Sequence, residues 1–156
     1  MAKKKTWREK LRDSKDLPKV VILREDAQKH WKVKTMAIPS PMEVNEIMAN
    51  IPEGKLITIA EIGKTIAHKH GAEIGCPLTC GIFSWIVAHA TVEDAAEGNK
   101  IKIPYWRTLK AKGELNPKYP GGIELQKKCL ESEGHRVVRK GKKYLVENYE
   151  QYLVTC

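Results

Sequence analysis

The chain has 156 residues, 42% of them hydrophobic and 30% charged, with a net charge of +9 and a pI near 9.4. That length is one domain's worth, able to bury roughly 70% of its unfolded surface without disulfide or metal staples. No apolar run approaches the ~20 residues of a membrane span, and the basic start "MAKKKTWREKLR" has no apolar stretch behind it, so we expect no secretory leader, no membrane partner and a cytoplasmic location.

The positive charge is unevenly placed. Residues 1–34 hold twelve Lys and Arg against five Asp and Glu. A cationic arm on a nearly neutral body suits polyanions, nucleic acid first and membrane surface or acidic protein second. A solvated tail that only aids solubility is the plain alternative. We divide the chain into a basic N-terminal arm or extension, 1–35, and a domain, 36–156.

In the arm, Trp7 and Leu11 lie at i, i+4 and are its apolar contacts, which suits a short helix that docks. "KVVIL" (19–23) is a candidate strand, and residues 24–39 are ambiguous. The firmest helix signal is "SPMEVNEIMANIP". Ser40 can N-cap, Pro41 suits the first helical position, Glu43 completes a capping box, and Met42, Val44, Ile47 and Met48 give an apolar face before Pro52. In "LITIAEIGKTIAHKHG", Thr58 and Glu61 form a second box, Ile59, Ile62 and Ile66 a stripe, and Gly71 a terminator. "PLTCGIFSWIVAHA" reads as a third helix capped by Thr79, so the pair is spaced as in a helix-turn-helix. The polar stretch "TVEDAAEGNK" should then lead out of it.

"IKIPYWRTLK" suggests a β-run, Ile101 to Ile103, delivering Tyr105, Trp106 and Arg107 side by side. "LKAKGELNPKYPGG" is a long Gly- and Pro-containing loop. "GGIELQKKCLESEG" is a helix with Ile123, Cys129 and Leu130 inward and Gly134 as its terminator, and "HRVVRKGKKYLVENY" alternates as a β-hairpin with a basic tip, Lys140 and Lys142, that suits a nucleic-acid backbone.

His68, His70, Cys76 and Cys80 cluster within thirteen residues. Their spacing fits no common zinc finger, and His68 and His70 at i, i+2 leave different sides of a helix, so we expect no metal and no other cofactor. The four cysteines, Cys76, Cys80, Cys129 and Cys156, are expected reduced, with Cys129 in the core and Cys156 exposed. Cys76, before Pro77 at a helix N-terminus, is the one alternative nucleophile.

In this order the motifs resemble the DNA-binding domain of the methylated-DNA:protein cysteine methyltransferases, or alkylguanine-DNA alkyltransferases, and their alkyltransferase-like relatives, over about residues 40 to 135. "IPEGKLITIAEIG" is similar to the family's I-P-x-G-x-V-x-T-Y-G-x-I-A. "GCPLTCGIFSWIV" is similar to the recognition helix, G-N-P-x-A-A-R-A-V-G-x-A-M. "IPYWRT" stands where the family has I-P-C-H-R-V, and "YPGGIELQKKCLESEGHRV" matches Y-x-G-G-x-x-x-K-x-x-L-L-x-x-E-G-H-R without a gap. The resemblance implies an α+β, mainly helical fold with a winged-helix-like helix-turn-helix and a C-terminal hairpin. It also implies a protein that turns a base out of duplex DNA into a pocket.

The departures decide the chemistry. Tyr105 occupies the place of the reactive cysteine and Trp106 that of the following histidine. A phenol is a poorer nucleophile for methyl transfer than a tunable thiol, so no catalytic residue is expected there. Alkyltransferase-like relatives also lack the cysteine and bind altered bases without repairing them. The family's intercalating arginine falls on Gly81 and its flipping tyrosine on Ile59, which leaves Phe83 and Trp85 as candidate wedges or as plain helix core. We therefore expect a base pocket of Tyr105, Trp106, Arg107, Tyr119 and Glu133. Duplex contacts are expected from Thr58, Lys64, Thr79, Gly81, Phe83, Lys140 and Lys142. The partner is double-stranded DNA, alkylated guanine among its forms, with a repair protein as a further partner and the chain a monomer. A Cys76-dependent transferase and a general nucleic-acid-binding module are the alternatives.

Overall fold

The computed structural model describes residues 6–98 and 103–154, apart from the side chain of Trp31. Its architecture is α+β and mainly helical. The chain opens with α1 (Trp7–Arg12), which Thr6 caps by accepting from the Glu9 amide. Strand β1 (Lys19–Ile22) follows, and the ambiguous stretch resolves into α2 (Glu25–Trp31) and β2 (Thr35–Ile38). Helix α3 (Pro41–Ala49) has the expected capping box at Ser40 and Glu43. It buries Val44 and Met48, whereas Met42 is 46% exposed and does not share that inner face.

After the short β3 (Ile57–Thr58), Thr58 caps α4 (Ile59–His70), which ends at Gly71 in the left-handed conformation. Ile62 and Ile66 are fully buried, while Ile59 packs at the edge of the core. Strand β4 (Ile74–Gly75) leads into α5 (Pro77–Ala96). Two expectations change here. Cys76, not Thr79, holds the N-cap position, because Pro77 starts the helix and Thr79 falls inside its first turn. The polar stretch after Ala90 is helix rather than exit loop, since Ala90 and Thr91 continue the buried face.

Ile101 and Lys102 lie outside the described residues, and Tyr105–Arg107 forms a 3-10 turn. The long loop carries β5 (Thr108–Leu109) and a second 3-10 turn at Ala111–Gly113. Helix α6 (Gly122–Ser132) buries Leu130 and Gln126, leaving Ile123 and Cys129 half-buried. The hairpin β6 (Val137–Lys140) and β7 (Lys143–Val146) closes the domain, followed by a 3-10 turn at Tyr149–Tyr152.

Three small sheets tie distant segments together. β1 and β2 pair antiparallel and β2 pairs parallel with β4, so the order is β1-β2-β4 with β1 at an edge. β3 pairs with β5, and the tail returns beside Leu56, whose amide donates to the Tyr152 carbonyl. One core cluster joins β2, α3, α4 and α5 with Tyr105 and Tyr119, and a second joins Leu56, Leu109, Leu115, Leu130 and Val146. Trp106 packs against both.

Segment 6–38 is built onto the rest. Trp7 stacks on His89 with centroids 4.4 Å apart and meets Trp85 edge-on at 4.9 Å. Glu93 accepts from the free Trp7 and Arg8 amides at the start of α1, and the Arg8 guanidinium reaches Glu93, Asp94 and Glu97. Three acids in the last turns of α5 oppose its dipole, and Arg8 offsets them. The boundary after residue 35 falls inside β2, whose first residue, Thr35, pairs with Ile22 of β1.

Candidate base-recognition site

The 3-10 turn at Tyr105–Arg107 sits at the junction of the two core clusters, held from three directions. Glu133, at the C-terminal end of α6, is the hub. Its carboxylate accepts from Arg107 Nε at 2.9 Å and Nη2 at 2.8 Å, from Trp106 Nε1 at 2.8 Å and from the Gly54 amide at 3.2 Å. Burial opposes its charge, and the hydrogen bonds from Arg107, Trp106 and Gly54 outweigh that, so the carboxyl is held below its ordinary range. Arg107 also donates from Nη1 to the Ile51 carbonyl at 2.7 Å, tying the turn to the end of α3, and its guanidinium lies 5.6 Å from the Trp106 ring centre.

The five expected pocket residues are therefore neighbours. Tyr105 meets Trp106 at 5.5 Å and Tyr119 at 5.7 Å between centroids, both edge-to-face. Tyr105 and Tyr119 are each only 3% exposed. Desolvation raises both phenol pKa values, and at Tyr119 the neighbouring Ser84 and Asn116 side chains oppose the rise without cancelling it. Neither ring offers an open face for stacking. Trp106, half-buried, is the aromatic of the three that water reaches.

Gln126 was missed by the sequence reading. It is 1% exposed, its Nε2 donates to the Trp106 carbonyl at 3.2 Å and its Oε1 accepts from the Asn116 amide at 2.8 Å, so it fixes the turn to the 108–119 loop. The available signal was a polar residue at an inward position of α6, between Ile123 and Leu130.

The expected duplex contacts scatter more widely. Thr58 is buried and occupied in capping α4. Thr79 donates its hydroxyl to Cys76 Sγ at 2.9 Å. A Cβ placed on Gly81 would meet nothing within 4 Å, so that turn of α5 is open. Phe83 packs half-buried against the core and Trp85 against Trp7, whereas Leu78 and Ile82, at 72% and 43% exposed, are the apolar side chains this helix leaves in water. Lys64 extends with its side chain 74% exposed, and Lys140 and Lys142 flank Gly141 at the exposed hairpin tip.

Among the described residues, no group of three or more His, Cys, Asp and Glu is placed to hold a metal. His70 instead pairs with the Glu43 carboxylate at 2.7 Å, which also takes Lys69 at 2.8 Å. Cys80 is fully buried and its thiol is pushed up to about 12, whereas Cys76 is half-buried at the start of α5. Cys129 is half-buried rather than core, because it lies on the flank of α6, and Cys156 lies outside the described residues. No helix among the described residues is long and apolar enough to cross a membrane.

No family model and no curated protein matches the chain. Two solved structures from S. pombe are similar to it. One is Atl1 in complex with damaged DNA containing O6-carboxymethylguanine, 20% identical with a TM-score of 0.49. The other is ATL in complex with DNA, 21% identical with a TM-score of 0.44. In both, the likeness covers 74% of this chain and 94% of the other.

Proposed function

We propose that the chain is an alkyltransferase-like DNA-binding protein that recognises alkylated or otherwise altered bases in duplex DNA and transfers no alkyl group. One observation carries the reading. At the position of the family's reactive cysteine stands Tyr105, a buried phenol with a raised pKa, while the Glu133–Arg107–Trp106 network that shapes the surrounding turn is intact. A phenol kept neutral by desolvation is a poor methyl acceptor, and the following residue, an indole, cannot take its proton. A chain that keeps the scaffold of the turn without a nucleophile is suited to binding.

Affinity in this reading comes mainly from cations on phosphates, with Lys64, Lys140 and Lys142 among them, and selectivity from a base entering beside Trp106. The protein acts as a monomer, and a repair protein is the partner that would complete the reaction it does not perform.

The test is anisotropy binding to matched duplexes carrying guanine or O-methylguanine, at two salt concentrations, followed by intact mass. Tighter binding of the modified duplex, weakening steeply with salt and leaving the mass unchanged, is expected. Equal affinity for both duplexes would reduce the function to general nucleic-acid binding. A gain of one methyl group, lost in Cys76→Ser, would replace the proposal by a transferase, for which the place of Cys76 at the start of α5 supplies the nucleophile.

A further inference from the structure

The open edge of β1 stands apart from the base-recognition site. Among the described residues, β1 has β2 on one side only. The Leu23 amide donates inward to the Lys34 carbonyl at 2.8 Å, and antiparallel strands alternate their hydrogen-bonding direction. Lys19 and Val21 therefore point their backbone groups toward β2, and Val20 and Ile22 present their N–H and C=O groups to the outside. The same two residues carry exposed side chains, Val20 at 45% and Ile22 at 81%. Two β-branched residues thus offer both main-chain hydrogen-bonding groups and apolar surface along one edge. Soluble proteins ordinarily blunt such an edge with charge or cover it.

The charge around the edge selects among occupants. Between residues 19 and 34 there are five Lys and Arg, namely Lys19, which pairs with Asp16 at 2.8 Å, and Arg24, Lys29, Lys32 and Lys34, against Glu25 and Asp26. A second copy of this chain would bring the same excess against itself. Phosphates would use the cations and leave the aliphatic side chains and the carbonyls of Val20 and Ile22 unmatched. An extended peptide with acidic flanks satisfies all three features.

We propose that β1 is a docking edge for an extended, acidic-flanked segment of another protein, which adds to the β1-β2-β4 sheet as a fourth strand with aliphatic residues beside Val20 and Ile22. This site is independent of the DNA reading, because it shares no residue with the Tyr105–Glu133 site.

The experiment titrates the full chain with a synthetic peptide of alternating valine and threonine flanked by two glutamates at each end, reading amide hydrogen exchange residue by residue. Binding should slow exchange at Val20 and Ile22 and leave Val21, already bonded to β2, unchanged. A peptide with lysines for glutamates should bind about tenfold more weakly at low salt. Ile22→Pro removes one outward donor that β2 does not use and should weaken binding about threefold to tenfold. Val20→Ser, which leaves the backbone and the charge alone, should weaken it too. No protection at Val20 and Ile22 with saturating peptide, protection confined elsewhere, or equal binding of the two peptides would overturn the proposal. So would sedimentation of the free chain as a dimer that Ile22→Pro dissociates, since the edge would then serve a second copy. Loss of peptide binding with DNA affinity unchanged separates this site from the proposed function.

Discussion

Glu133→Gln is the sharpest perturbation of the site. The substitution keeps the shape of the side chain but replaces one acceptor oxygen by an NH2 group that faces donors from Arg107 and Trp106. The Arg107 and Glu133 side chains are 13% and 6% exposed, so water does little to screen the pair. Hydrogen bonds to charged groups contribute about 1.5–3 kcal/mol each, and removing one partner of a buried pair costs about 3–5 kcal/mol. One carbonyl oxygen survives in glutamine, which places the expected loss near the lower end, at about 3 kcal/mol. With a urea dependence of about 2 kcal/mol/M, the unfolding midpoint should fall by about 1.5 M. Far-UV circular dichroism would read it, alongside Arg107→Met and the double variant. The two single losses should exceed the double by about 2 kcal/mol, because Arg107→Met removes the charge that Glu133→Gln strands. A midpoint shift under about 0.5 M, or additivity within about 0.5 kcal/mol, would put this pair with the weak surface bridges and refute its role as the hub.

Tyr105→Cys should not restore methyl transfer: the new thiol would sit where the phenol is 3% exposed, next to Trp106 rather than a base, and the cavity should lower stability by about 3–5 kcal/mol; a methyl mass gain after incubation with O-methylguanine duplex would contradict this. Gly75→Ala should destabilise by at least about 1–3 kcal/mol in urea unfolding, since a Cβ there overlaps the Gly63 carbonyl where β4 crosses α4, whereas Gly81→Arg meets open space and should leave stability level or raise it by up to about 1 kcal/mol, as seen by thermal unfolding. Stability should fall with acid in two stages. Burial depresses the His135 pKa and both ring nitrogens lack partners, so the unfolded chain binds a proton first and stability declines as pH drops below about 6.5; Glu133, also depressed, adds its loss below about 4.5. His135→Phe should abolish the first stage and keep the second in unfolding curves measured between pH 8 and 4.

Local rules made much of the fold legible. The Ser40–Glu43 box and the Gly71 terminator depend on residues within four positions of one another and stand as read, whereas the Thr58–Glu61 box forms only by half: Thr58 accepts from the Glu61 amide, and the Glu61 carboxylate pairs with Lys64 instead. The failures lie where tertiary contacts decide. Nothing within "EDAQKHW" marks a helix strongly, and α2 exists because β1 must return to β2. α5 runs on through polar residues because Arg8, far away in sequence, sits on Glu93, Asp94 and Glu97. In sequence Met42 is grouped with Val44, Ile47 and Met48 as one apolar face, but neither Asn45 nor Glu46, three and four residues on, is apolar, and the structure puts Met42 on the solvent side of α3.

The candidate site divides the same way. That Trp106, Arg107 and Glu133 lie together was legible from the order of motifs; that Glu133 accepts from both of the others was not. What those side chains leave open was not legible, because exposure is a property of the packed whole. Tyr105 fills the space beside Tyr119 and so closes the site from within. A base entering here has to displace an aromatic ring. Tyr105 and Tyr119 are packed in the core, while Trp106 is half-buried; releasing it costs about 1.5–3 kcal/mol for its indole hydrogen bond to Glu133 and, in addition, its packing against both core clusters. Stacking one base on an aromatic ring returns about 1–3 kcal/mol, which offsets the hydrogen bond but not the packing. Discrimination between an ordinary and an altered base would then turn on the smaller unstacking cost of the altered one, a part of a total of a few kcal/mol.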